Sequence, residues 1–184
     1  EIGVRLVGSE MCIRDSDKVI VRDVYKNGEK VVSDGKTLCF DMPKINDSLE
    51  KKVRSSFNLP MLSSSDFDVD YNGKRKCHVI SLVDGQLLTD DLVSDIDFDC
   101  NNGIDIEHDI LKIAVIERHH NTGHIGNAFI KGIGLKEGAI ASSVAHDSHN
   151  LIVIGTNTDD MAFAANRIRE LGGGIVSVKN GKVV

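Results

Sequence analysis

Leu151-Ile152-Val153-Ile154-Gly155, then Met161, Ala164, Ala165, Ile168 and Leu171, then Gly172-Gly173-Gly174 and Ile175-Val176-Ser177-Val178, make up the stretch that decides the fold class. The first run is short, continuous and rich in β-branched residues, which reads as a buried strand closed by Gly155. The five apolar residues that follow recur at i, i+3, i+4, i+7 and i+10, the stripe of one helical face. Thr158 or Asp159 can cap this helix, and the three glycines stop it. Strand, helix and strand in that order form a βαβ unit. The spacing therefore predicts that Leu151–Ile154 and Ile175–Val178 are parallel neighbours or near neighbours in one sheet.

Beyond the last strand, Asn180-Gly181 is a two-residue hairpin turn, because both positions accept φ > 0. Lys182, Val183 and Val184 begin the return strand. An arm of about three residues is short against the usual five or six, so the expected domain is truncated within a hairpin, incomplete at its C-terminus. In the other direction, Ile110 to Ile116 reads as a buried strand ending on Glu117-Arg118-His119-His120, and a glycine-rich segment follows with Gly123, Gly126, Gly132, Gly134 and Gly138. Further upstream, Cys77, Val79 and Ser81 alternate against His78, Ile80 and Leu82, the period of a strand. Phe67 and Val69 read as β ahead of an Asn72-Gly73 turn. The acidic stretch from Asp84 to His108 reads as a solvated loop or edge strand. It lacks the loop spacing and glycine placement of an EF-hand calcium site.

From Asp17 to about Phe40, Val19, Val21, Val24, Val31 and Val32 alternate with the turns Asn27-Gly28 and Asp34-Gly35, a meander of short strands. Residues 41–66 hold both prolines, Pro43 and Pro60, and show no sustained period. The expected class is thus α+β (mixed α/β): a short β-meander and then an α/β domain. Its divisions are a leader at 1–16, strands at 17–45, a connector at 46–66 and the α/β domain at 67–184. Residues 1–16 carry no periodicity, and Gly8 to Ser16 resembles translated sequencing-adapter read-through fused to unrelated proteins from environmental DNA. That segment is set aside as non-native.

The 184 residues carry 22 Lys and Arg against 28 Asp and Glu, a formal charge of −6. That balance argues against nucleic acid polymers and anionic membranes as partners. No apolar run approaches the roughly 18–20 residues of a bilayer span, and the start lacks the layout of a signal peptide, so the expected location is the cytoplasm. Aromatics make up only 4% and Trp is absent, so the core must be aliphatic. Cys12, Cys39, Cys77 and Cys100 form no C-x-x-C pair and are expected as reduced thiols.

Six of the seven histidines lie between residues 108 and 149. His119, His120 and His124 surround Gly123, while His146 and His149 bracket Asp147 and Ser148 ahead of Asn150. Three kinds of chemistry compete there. Imidazoles and a carboxylate suit a transition metal, although spacing assigns no third or fourth ligand. Ser142 or Ser143 near His146 could form a nucleophile pair, but no G-x-S-x-G elbow surrounds them. The Gly132-Ile133-Gly134-Leu135-Lys136-Glu137-Gly138 loop could cradle an anion, yet it lacks the phosphate-loop spacing. Against all three stands loop stitching by ordinary hydrogen bonds.

The blocks Ile113 to Gly123, Phe129 to Leu135 and above all Gly138 to Asn150 resemble the C-terminal domain of the bacterial and archaeal adenine deaminases of the amidohydrolase superfamily. The N-terminal meander is similar to the last strands of the β-sandwich that accompanies the metal barrel there. The resemblance runs from about Asp17 to Val184. It implies a hydrolase that deaminates adenine to hypoxanthine and ammonia, with a binuclear Mn or Fe centre on the barrel. This chain has no H-x-H barrel motif and is too short for a barrel, so neither metal nor cofactor is expected within it and the fragment alone is expected to be inactive. Its partners would be adenine, the missing N-terminal metal barrel and other copies in a homo-oligomer. Arg118, His119, His146, Asp147, His149 and Asn150 are the candidates for closing the substrate pocket or supporting it from behind. The alternative is a stand-alone purine-binding or structural module.

Overall fold

Asparagine-glycine and aspartate-glycine pairs fold the first strands of the computed structural model, which describes residues 22–38, 44–69, 72–73 and 75–184. β1 (Val24–Lys26), β2 (Glu29–Ser33) and β3 (Lys36–Thr37) form an antiparallel meander. Its turns sit at Asn27 and Gly28, with φ of 51° and 84°, and at Asp34 and Gly35, with φ of 48° and 73°. This is the expected meander over the described part. The expected leader at 1–16, with Cys12, lies outside the described residues, as do Cys39 and Pro43. The meander belongs to one compact unit, residues 1–45, and the remainder, 46–184, forms a second.

The second unit begins with α1 (Asp47–Arg54), whose N-terminus is capped by the Asn46 side chain accepting from the Ser48 amide at 2.9 Å. None of its residues is buried. The stretch expected as a connector also supplies core residues, since Leu59 and Leu62 are buried in the main hydrophobic cluster. The β reading at Phe67 is corrected: Ser64–Phe67 is a 3-10 turn. The Asp66 carboxylate accepts from the Ser63 amide and hydroxyl, and this cap favours the turn over a strand.

Eight strands make one sheet: β4 (Lys76–Leu82), β5 (Thr89–Asp95), β6 (Ile110–Ile116), β7 (Ile125–Lys131), β8 (Ala139–Ser142), β9 (Leu151–Gly155), β10 (Ile175–Lys179) and β11 (Lys182–Val183). Their order is β11-β10-β8-β9-β6-β7-β4-β5. Every neighbouring pair is antiparallel except β4 with β7. β9 and β10 run parallel as near neighbours, with β8 inserted between them and antiparallel to both. The acidic stretch supplies the edge strand β5. The glycine-rich stretch, read from sequence only as a segment, contains β7 and β8.

α2 (Thr158–Leu171) covers one face of the sheet. Met161, Ala164, Ala165 and Ile168 pack on Ala139, Ala141, Leu151, Val153, Val176 and Val178. The cap is Asn157, one residue ahead of the expected Thr158 and two ahead of Asp159, because its side-chain oxygen takes the Asp160 amide at 2.7 Å. Gly172 ends the helix in the left-handed region, with φ of 73°. Lys112 sits on the same face of the sheet, fully buried, and donates to the Phe67 carbonyl at 2.7 Å. Burial pushes its ammonium down, against a nearby Asp68 carboxylate that pulls it up.

Candidate functional site

Strand register brings the candidate residues together. Ile116, the last residue of β6, pairs with Leu151, the first of β9. The chain leaving β6 at Glu117 therefore lies beside the chain entering β9 from Ser148 to Asn150. Two side chains fasten the loops: Arg118 donates through Nε to the His149 carbonyl at 2.7 Å, and His119 Nε2 lies 2.9 Å from the Ser148 carbonyl. Arg118 also stacks over the Phe57 ring at 5.0 Å. Asn58 holds the loop from its other side, its amide on the Arg118 carbonyl at 2.7 Å and its Nδ2 on the His119 carbonyl at 2.9 Å.

His149 has φ of 52°, and its amide reaches back to the Ala145 carbonyl at 2.6 Å. This tight return sets its ring against His146, edge to face, with centroids 4.8 Å apart. His146 and Asp147 are exposed at the tip, whereas Arg118, His119, His149 and Asn150 are partly covered. The Asn150 Oδ1 is buried and accepts no hydrogen bond. All six candidates thus fall in one region, with Arg118 and His119 engaged on backbone carbonyls and His146 and Asp147 open to an incoming group.

Sequence reasoning passed over Glu117, the residue that organises the first loop. Its carboxylate accepts from the amides of His119, His120 at 2.8 Å and Thr122 at 3.1 Å, and from the Thr122 hydroxyl at 2.9 Å. Burial pushes this carboxyl up, but the amides of Thr122, His120 and His119 together outweigh it and hold it at about 2. The available signal was an acid directly ahead of a run with no strand or helix period, a place where backbone donors lack partners.

The depressed value fixes the sign of a pH effect. The carboxylate's support for the loop is complete above the ordinary 4.5 and is lost as pH falls toward 2. Amide proton shifts of His119, His120 and Thr122, followed by NMR, are expected to hold steady at pH 4 and change together near pH 2. In Glu117→Gln that transition disappears. A midpoint near 4.5 in the unsubstituted chain would remove Glu117 from this role.

The competing chemistries receive separate answers. The Ser143 hydroxyl accepts from the Gly174 amide at 2.8 Å and the Ser142 hydroxyl from the Val144 amide at 3.1 Å, so both are engaged in backbone contacts. The glycine loop does bind an anion, and it is the chain's own: Asp109 accepts from the amides of Gly132 at 2.9 Å and Gly134 at 2.8 Å. Among the described residues no three His, Cys, Asp or Glu side chains converge as a metal would require. Asn127, on β7, ties the 3-10 turn down through the carbonyls of Asp66 and Asp68. No helix of the described residues is long and apolar enough to cross a membrane.

Comparison with known proteins adds a family. A family model described as the adenine deaminase C-terminal domain matches residues 86–184. An adenine deaminase of Petrotoga mobilis is 40% identical over 174 residues, covering 95% of this chain and 30% of the relative. One of Lysinibacillus sphaericus is 37% identical over 175 residues, with 94% and 29% covered. One of Desulfatibacillum aliphaticivorans is 41% identical over 165 residues, with 89% and 28% covered. The chain spans about three-tenths of the length of the curated relatives it matches.

Proposed function

The chain belongs to the adenine deaminase C-terminal domain family, and from that premise we propose that it is the C-terminal part of a cytoplasmic hydrolase that converts adenine and water to hypoxanthine and ammonia. The observation that carries the reading is the fastening of the two loops, Arg118 Nε to the His149 carbonyl and His119 Nε2 to the Ser148 carbonyl. Those contacts hold His146, Asp147 and His149 in one arrangement at the end of a sheet. Side chains locked by backbone contacts keep a binding geometry without an ordering cost on each encounter.

A binuclear Mn or Fe centre belongs, in this reading, to the part of the longer protein that this chain does not match. The described residues do not fit such a group, since they offer no converging donor set. The chain's own contribution is then binding and positioning. Arg118, His119 and Glu117 shape the loops, and the exposed His146 and Asp147 meet the purine or the groups around it.

Two measurements test this. The isolated chain supplied with Mn or Fe is expected to leave adenine unchanged, and residues 17–184 grafted into the full-length Petrotoga mobilis adenine deaminase are expected to preserve its activity. Turnover by the isolated chain would overturn the assignment, and micromolar adenine binding without turnover in equilibrium dialysis would favour a stand-alone purine-binding module. Within the graft, His149→Ala is expected to lower kcat/KM at least tenfold, about 1.4 kcal/mol of transition-state stabilisation. An unchanged kcat/KM with an unchanged melting temperature would remove His149 from the site.

A further inference from the structure

The sheet has a second face, opposite α2, and its chemistry is unusual for a face turned to water. Antiparallel sheets with one solvated side place polar residues there. Here the side chains of β6, β9, β8 and β10 on that side are mainly aliphatic or hydroxyl-bearing, among them Val115, Ile152, Ile140, Ser142, Ile175 and Ser177, and the charged residue at the far end of β10, Lys179, is paired with Glu137. Part of the face is closed by Ile104, Ile106, Ile133 and Leu135, which pack on Leu111, Ile130 and Ile154. The rest is open, with Val115 38%, Ile140 36% and Ile175 68% exposed. At one end the open part runs into a cleft of about 490 Å³ lined by Val115, Glu117, His124, Ile125, Gly126 and Asn150. The apolar face and the candidate site are therefore continuous.

We propose that this face is the docking surface for the remaining part of the longer polypeptide, the part that the curated relatives possess and this chain does not match. The inference rests on the functional reading above. Size decides between that occupant and a second copy of the chain. Four strands spaced about 4.8 Å apart, each open over about three or four residues of its length, enclose roughly 200 Å². A stable contact between separate molecules needs about 800 Å² per partner. A patch this small holds a partner that is covalently tethered, because the tether supplies an effective concentration that a free copy lacks. The relatives are more than three times as long as the matched segment, which provides such a tethered body. Docking there also explains why Glu117 and Asn150 lie at the rim: whatever covers the aliphatic strands meets the site residues at its own edge.

The test is thiol labelling, read peptide by peptide by mass spectrometry, in the isolated chain and in the Petrotoga mobilis graft. Ile140→Cys and Ile175→Cys report on the face, and Phe163→Cys, 40% exposed on α2, reports on the opposite side. In the isolated chain all three are expected to label readily at every protein concentration. In the graft the thiols at positions 140 and 175 are expected to label at least tenfold more slowly, with position 163 unchanged. Equal rates in both proteins at 140 and 175 would overturn the proposal. So would protection in the isolated chain that grows with its concentration, since a second copy would then be the occupant. Deaminase activity of the graft is assayed separately. An inactive graft with a protected face sinks the functional reading and leaves the docking surface standing.

Discussion

Asp160→Ala is expected to destabilise the residue 46–184 unit by about 3 kcal/mol, a fall of roughly 10 °C in melting temperature. The residue is 4% exposed in the first turn of α2. Its carboxylate accepts from Asn157 Nδ2 at 3.0 Å, from the Asn180 amide at 3.1 Å and from the Gly181 amide at 2.7 Å. One side chain therefore fastens the last hairpin turn to the start of the helix, where a negative charge is also favoured by the helix dipole. Alanine would leave two amides of that turn without their partner. Burial pushes the carboxyl up, but the bonds from Asn157, Gly181 and Asn180 prevail and hold it below its ordinary 3.8. Its stabilisation is thus complete above 3.8 and disappears as pH falls through the lowered value. The stability gap between the unsubstituted chain and Asp160→Asn, measured by urea denaturation, should accordingly narrow on acidification below 3.8. A melting temperature within about 2 °C for Asp160→Ala would show that the turn holds without it.

Gly138→Ala is expected to cost at least about 3 kcal/mol, and the same change at Gly134 only about 1 kcal/mol. Both glycines have positive φ, 81° and 73°, so the backbone penalty is shared. The surroundings differ. A Cβ on Gly138 would land on the Val178 carbonyl oxygen and within 3.1 Å of its carbonyl carbon, where β8 and β10 pair, whereas a Cβ on Gly134 has nothing within 4 Å. A clash with backbone cannot be relieved by a rotamer change and must push the strands apart. The Gly138 carbonyl also accepts from the Thr156 amide and hydroxyl at 2.9 and 3.0 Å, bonds that move with it. Thermal denaturation of the two variants side by side separates the shared cost from the local one.

What could be read from sequence follows from where the core is aliphatic. β6, β9, β10 and α2 were legible because Ile, Val, Leu and Met recur on their buried faces at strand or helix period, with Ala filling the closest contacts of α2. β7 and β8 were not. Gly126 and Asn127 interrupt β7, and β8 uses Ala139 and Ala141 because α2 comes close above them, which removes the β-branched signal. α1 escaped notice because it spans only two turns, and its apolar pair, Leu49 and Val53, is too short a stripe to set a period and is left exposed. The six candidate residues were legible as a dense polar cluster, but their proximity arises from the Ile116 to Leu151 register, which no local pattern encodes. Glu117 was overlooked for a related reason: its role lies in accepting backbone amides, and only the folded loop presents those.

The insertion of β8 between β9 and β10 has a consequence for synthesis on the ribosome. β8 can pair with β9 soon after both emerge, since a short loop joins them. Its other edge must wait for β10, and α2 has to be made in between. At ordinary elongation rates that interval lasts about 2–7 s. For that time Ala139–Ser142 is a bare strand edge, open to pairing with any extended segment nearby. The nascent chain thus passes through a brief window of vulnerability to misassembly, which the arrival of Ile175–Lys179 closes.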